Sequence, residues 1–149
     1  MKIVRRLLEG KTKGVWSIAP DRTVEEAVRL MAEHDVGALL VVVQGRLVGI
    51  VTERDVVRKA VLQGRNPATT PIAEIMTERV LYVRPEQTVE ECMALMTDKH
   101  LRHLPVLDDG RILGIVSIRD VVADLIAEKS FIIEQLENYI YDIPPYSRV

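Results

Sequence analysis

Apolar residues along this 149-residue chain switch between a period of two and a helical period, and they do so twice in the same order. The first pass opens on a short β-prone stretch, Val15-Trp16-Ser17-Ile18, closed by Pro20. Val24, Ala27, Val28 and Met31 then recur at helical spacing. Thr23-x-x-Glu26 heads that helix as a capping box, in which the hydroxyl takes one free helix amide and the carboxylate another. A strand from Ala38 to Val43 is joined through Gln44-Gly45 to a strand from Leu47 to Val51, which predicts a hairpin. A further helix is expected from Thr52. The second pass opens on Val80-Leu81-Tyr82-Val83 and Pro85, then the box Thr88-x-x-Glu91 and a helix carrying Val89, Cys92, Met93 and Met96. Strands from His103 to Leu107 and from Ile112 to Val116 flank Asp109-Gly110, and a helix begins at Ser117.

The two passes align at one constant offset, without insertion or deletion, from Thr12–Val57 onto Thr77–Val122. Pro20 falls on Pro85, Gly49 on Gly114 and Asp55 on Asp120, and nearly half of the positions between Pro20 and Val57 are identical. Glu9-x-x-Thr12 likewise matches Glu74-x-x-Thr77. A duplicated unit implies two similar folds and two similar sites. Each unit reads β-α-β-β-α, an α/β (α+β) class. A three-stranded sheet with helices on one side leaves its other face open, and the obvious cover is the other copy. We therefore expect two repeats packed sheet to sheet with pseudo-two-fold symmetry. The boundaries expected are 1–64 for the first repeat with its N-terminal segment, 65–72 for a linker, 73–129 for the second repeat and 130–149 for a C-terminal helix and tail. The stretch Gln63 to Pro71 is polar and contains two prolines, as a connection should. Ile126, Ile133, Leu136 and Ile140 form an apolar stripe that serves either to cover its own core or to contact a second subunit.

Composition narrows the classes. The chain is 48% hydrophobic and 28% charged, with a formal net charge of -2, so it is expected to be globular and neither a nucleic-acid nor a membrane binder. The longest apolar run, Val36 to Val43, is too short to span a bilayer. A single cysteine forbids an intrachain disulfide, which fits a reducing, cytoplasmic setting. Cys92 lies on the apolar helix face, and its counterpart is Ala27, which points to packing rather than reactivity. No metal-ligand spacing, phosphate-binding Walker loop or nucleophile elbow occurs, and neither repeat assembles a nucleophile with a base, so no enzyme is expected and no metal site.

The element repeated most closely is Gly49-Ile-Val-Thr52-Glu-Arg-Asp55 and its twin Gly114-Ile-Val-Ser117-Ile-Arg-Asp120. A strand ends, a hydroxyl occupies the turn, and an Asp follows three residues on. The hydroxyl and helix amides suit a phosphate, and the carboxylate can accept two hydrogen bonds from a ribose diol. The same spacing is also a plain capping box, and the two uses compete as explanations. The recurring Gly points to a close approach at the strand end.

These paired Gly-x-x-Thr/Ser-x-x-Asp motifs, the β-α-β-β-α repeat, Leu101-Arg-His-Leu-Pro-Val106 and Glu74-Ile-Met-Thr77 together resemble tandem cystathionine-β-synthase (CBS) domains over roughly residues 8 to 128. The whole chain is similar to small stand-alone CBS-pair proteins. The resemblance implies a regulatory module that binds an adenosyl ligand (AMP, ADP, ATP, NAD or S-adenosylmethionine) between repeats, associates as a homodimer and needs no catalytic cofactor. It assigns Asp120 to a ribose diol and Ser117 to a phosphate, with Thr77 and Val80 near the adenine and Leu101, Arg102 and His103 along the nucleotide. In the first copy it assigns Asp55, Thr52, Thr12, Val15, Val36, Gly37 and Ala38. Gly37-Ala38 stands where Arg102-His103 stands in the second copy, so the first site is expected to bind phosphate less well and Asp120 to anchor the better one. Arg54 and Arg119 serve either as forked phosphate donors or as ordinary surface residues, and Lys11 and Lys13 stand in the same position. His34 and His100 are expected at helix ends, where dipole contacts are the default. The competing reading of the whole chain is a ligand-independent dimeric scaffold.

Overall fold

Two copies of one unit fold side by side, and each holds a piece of the other. The computed structural model describes residues 2–10 and 14–127. Helix α1 (Val4–Glu9) precedes the short strand β1 (Ser17–Ile18), helix α2 (Val24–His34) and the hairpin β2 (Ala38–Val43) and β3 (Arg46–Thr52). Helix α3 (Glu53–Asp55) continues as a π-helical turn, Val56–Val61. A 3₁₀ turn (Ile72–Glu74) leads into the second copy: helix α4 (Val89–Lys99), the hairpin β4 (His103–Asp108) and β5 (Arg111–Ser117), and helix α5 over 118–127. Thr12, Lys11, Lys13 and the stripe residues Ile133, Leu136 and Ile140 lie outside the described residues.

Local chemistry explains the elements. The Thr23–Glu26 box is complete, with both hydrogen bonds at 3.2 Å. In the second copy only half of it forms: the Thr88 hydroxyl accepts from the Glu91 amide at 3.0 Å, while the Glu91 carboxylate accepts from the Gln87 amide group. Both hairpins turn through two left-handed residues, Gln44-Gly45 (φ 49° and 77°) and Asp109-Gly110 (φ 53° and 82°), the twist that tight hairpins require. Val28, placed by its spacing on the apolar helix face, is 41% exposed.

The first strands differ between copies. β1 runs parallel to β2, and the Leu40 amide donates to the Trp16 carbonyl at 3.1 Å. The expected strand Val80–Val83 shrinks to a single bridge between Val83 and Val106. The cause is Pro105, the counterpart of Leu40: it has no N–H to offer the Leu81 carbonyl, so the ladder stops one step in. The second sheet is therefore two-stranded.

The hydrophobic cores are exchanged at their edges. Ile18, Val24, Met31, Leu39, Val41 and Val51 form the first core, and it is completed by Ile72 and Ile75. Val83, Val89, Cys92, Met96, Leu104 and Val116 form the second, and it is completed by Val4 and Leu7 from the opposite end of the chain. Leu7 and Ile72 are equivalent positions, so each repeat's entry segment docks on the other repeat. Backbone bonds repeat the exchange: Val4 donates to the Gln87 carbonyl at 2.8 Å and Ile72 to the Arg22 carbonyl at 2.8 Å. The N-terminal segment, assigned to the first repeat by its place in the chain, thus packs with the second. Between the sheets, Ala38, Leu40 and Ile50 pack with Val80, Ile112 and Ile115, so each sheet's open face is covered by the other copy.

The recurring glycines sit where these segments cross. A Cβ on Gly49 would meet the Met76 sulfur at 2.7 Å and the Thr77 carbonyl oxygen at 3.0 Å; on Gly114 the one close approach would be to the tip of Leu8, at 2.7 Å, with a Val15 methyl at 3.6 Å. Gly49→Ala is expected to destabilise the protein by about 1–3 kcal/mol in urea denaturation, because the obstacle includes backbone. Gly114→Ala should cost clearly less, because a Leu tip can rotate away.

Burial, and then the charge of Asp120, push the Cys92 thiol up to about 11, so its thiolate is scarce at neutral pH. Leu7→Ala should destabilise the fold by about 2–3 kcal/mol and speed labelling of Cys92 by a thiol reagent, although the two residues lie in different repeats. Unchanged labelling would contradict the exchanged core.

Candidate functional site

The two hydroxyl–carboxylate turns are built alike. At the end of β3, the Thr52 amide donates to Asp55 Oδ2 at 3.0 Å and the Asp55 amide to Thr52 Oγ1 at 3.1 Å. At the end of β5, the Ser117 amide donates to Asp120 Oδ2 at 2.7 Å and the Asp120 amide to Ser117 Oγ at 3.2 Å. Both are working caps, each committing Oδ2 to the backbone. What differs is the second oxygen's surroundings. Asp55 is buried, and its Oδ1 receives Lys59 Nζ at 3.0 Å and the Thr77 hydroxyl at 3.3 Å.

Thr77 reaches Asp55 because two backbones pair across the repeats. The Ile50 amide donates to the Thr77 carbonyl at 3.0 Å and the Thr77 amide to the Ile50 carbonyl at 2.9 Å. β3 of the first repeat thereby gains one antiparallel rung from the second repeat's entry segment. Gly49 leaves the space that this pairing needs.

Two clefts result. The smaller, about 220 Å³, brings Thr52 and Asp55 together with Thr77, Val80, Leu101, Arg102 and His103. The larger, about 670 Å³, brings Ser117, Arg119 and Asp120 together with Val15, Val36, Gly37 and Ala38. Every expected site residue among those described lines one cleft or the other, but the groupings cross. The resemblance groups the motif residues within a repeat, Asp120 with Thr77 and Asp55 with Val15, and these two groupings are the ones exchanged. The structure pairs each Asp with the other repeat's entry segment, because those segments exchange cores.

Crossing also changes the charge argument. Arg102 and His103 stand on the walls of both clefts, as does Gly37. The first copy's Gly37-Ala38 therefore does not leave Asp55 without a cation nearby. A Cβ on Gly37 would lie 3.1 Å from the His103 ring, so the glycine makes room for the imidazole of the opposite repeat.

Arg54 and His34 have partners that the sequence did not assign, and two lining residues, Trp16 and Arg79, lie outside the motifs. Arg54 donates to the His100 carbonyl at 2.8 Å, where α4 ends in a left-handed residue, so it links the repeats by capping the other helix. His34 stacks on Trp16 with ring centroids 3.5 Å apart, rather than serving only its helix end. Trp16 lines the larger cleft and Arg79 the smaller. Position relative to Thr12 and Thr77 was the only signal for either. Among the described residues no group of three potential ligands could hold a metal ion, and no helix is long and apolar enough to cross a membrane.

Comparison with known proteins agrees with this architecture. The CBS domain profile matches twice, over residues 4–61 and 72–127. The mitochondrial CBS domain-containing protein CBSX3 of Arabidopsis thaliana is 45% identical over 125 residues, covering 80% of this chain and 61% of the plant protein, so the chain spans under two thirds of that relative. A CBS-domain protein from Burkholderia ambifaria superimposes with a TM-score of 0.83 at 46% identity, covering 86% of this chain and 96% of that one. The CBS domain pair of protein MJ0100, solved with 5′-methylthioadenosine and S-adenosyl-L-methionine, superimposes with a TM-score of 0.75 at 28% identity, covering 87% and 98%. With both repeats matched and both sheets, caps and clefts in place, the chain belongs to the CBS-domain family, as a CBS pair.

Proposed function

We propose that this CBS pair is a sensor of adenine nucleotides: AMP, ADP, ATP or NAD binds in the clefts between repeats and alters how the repeats sit against each other. The observation that carries this reading is the Thr77–Asp55 contact, 3.3 Å across the repeat boundary. A ligand lodged there touches both repeats at once. Its ribose hydroxyls would compete for the carboxylate, its phosphates would meet Arg102, and its base would lie along Val80 and Leu101, all of which line this cleft. Such a ligand shifts the arrangement only by the difference in its affinity for two states. The adenosyl compounds bound by the MJ0100 pair support the ligand class.

Asp120 is the cleaner test of the ribose assignment. Asp120→Asn keeps a side-chain oxygen for the Ser117 amide but loses the charged acceptor. Hydrogen bonds to charged groups contribute about 1.5–3 kcal/mol, so binding at the larger cleft should weaken by roughly 10–100-fold in calorimetry at unchanged melting temperature. Equal affinity would remove Asp120 from the ligand.

A second reading, a ligand-independent dimeric scaffold, is favoured by the caps themselves, which already occupy one oxygen of each Asp. Ligand at 100 times its dissociation constant adds about 2.7 kcal/mol to stability, so a thermal shift with any of the four nucleotides separates the readings.

Both readings include a homodimer. Val57 and Val61 are 53% and 62% exposed, and their counterparts Val122 and Ile126 are 41% and 54% exposed. The pseudo-symmetry gives each repeat the same apolar pair, which suits a self-complementary contact. The double variant Val61→Glu/Ile126→Glu should sediment as a monomer where the unaltered chain sediments as a dimer; an unchanged sedimentation coefficient would place the interface elsewhere.

A further inference from the structure

The repeat symmetry is broken around the two clefts in a consistent direction. Arg79 lines the smaller cleft, and the equivalent position, lining the larger, is Gly14. Leu81 lines the smaller cleft, and its equivalent is Trp16. Lys59 neutralises Asp55 at 3.0 Å, whereas its equivalent is Asp124, itself paired with Lys2 at 2.9 Å. Asp55 is thus balanced by a lysine of its own helix; Glu53 lines both clefts, and three guanidinium groups, Arg54, Arg79 and Arg102, line the smaller one. Arg54 is held by a neutral carbonyl, which orients it without cancelling its charge. Arg79 is exposed and has no hydrogen-bond or ion-pair partner among the described residues, so its fork remains available.

We infer that the smaller, Asp55 cleft is the phosphate-selective one of the two, and that Arg79 sets this preference. A guanidinium binds phosphate through two parallel bonds, and Gly14 offers none. The larger cleft shares Arg102 and His103 and adds Arg119, but it has Gly14 in place of Arg79 and an indole in place of Leu81, so it discriminates less by phosphate. This assignment reverses the order expected from the motif residues, and it rests on the nucleotide-sensor reading above.

Two probes that share an adenosine frame separate the terms: ADP, and 5′-methylthioadenosine, which carries no phosphate. Calorimetry on the full chain counts all binding. Fluorescence of Trp16, the chain's only tryptophan, reports the larger cleft alone. Arg79→Ala should weaken ADP binding about tenfold or more, the scale of a lost forked phosphate contact. The same variant should leave 5′-methylthioadenosine within about twofold, and its Trp16 titration unchanged. Arg79→Lys should recover part of the loss. Equal weakening of both probes, ADP binding indifferent to Arg79, or an ADP loss that appears in the Trp16 signal would each overturn the inference while leaving nucleotide binding intact. Failure of both probes to bind the unaltered chain would instead overturn the sensor reading, and the inference with it.

Discussion

Ile50 and Thr77 exchange two backbone hydrogen bonds across the boundary between repeats, and most of the molecule's arrangement depends on that rung. Backbone pairing is obligatory in a buried setting, since an unmet amide or carbonyl there costs more than the bond returns. Once the rung forms, the second repeat's entry segment must lie along β3. Met76 and Thr77 then fill the space beside Gly49, and Ile72 and Ile75 fall into the first core. Thr77 is delivered to Asp55 by the same geometry. Register, core and cleft are therefore one constraint, not three.

The exchange of entry segments makes the clefts shared property of both repeats. A change in the angle between repeats must alter both clefts, because Gly37, Arg102 and His103 stand on the walls of each. A ligand that preferred one arrangement would, on binding in one cleft, be felt in the other without any separate pathway. The Arg54 bond to the end of α4 adds a second tie across the same boundary.

Pseudo-symmetry is kept where packing demands it and lost where it does not. The core positions match pairwise: Ile18 with Val83, Val24 with Val89, Met31 with Met96, Leu39 with Leu104. Departures collect at the walls of the clefts and at the first strands. Pro105 against Leu40 removes a ladder bond, and Gly37 against Arg102 opens room for His103. Cys92 against Ala27 is a departure of the packing kind, since the thiol is buried and its ionisation is pushed up to about 11.

Much of the fold was readable in the chain because its determinants are short-range. The capping hydroxyls of Thr23 and Thr88, the left-handed turns at Gly45 and Gly110, and the alternation of apolar residues act within a few positions of themselves. The duplication then supplied the sheet-to-sheet arrangement and the motif residues that line the clefts, though not Trp16 or Arg79. It could not supply their grouping. Leu7 and Ile72 are equivalent positions facing equivalent cores, and local sequence is satisfied whether each docks on its own repeat or on the other. Only the assembled structure decides between the two, through the long-range pairing of Ile50 with Thr77 and of Ile3 with Thr88. That decision set Thr77 beside Asp55 and Val15 in the cleft of Asp120, with Gly37 and Arg102 shared by both. The composition of the site was local chemistry; its partnership was a matter of tertiary contact.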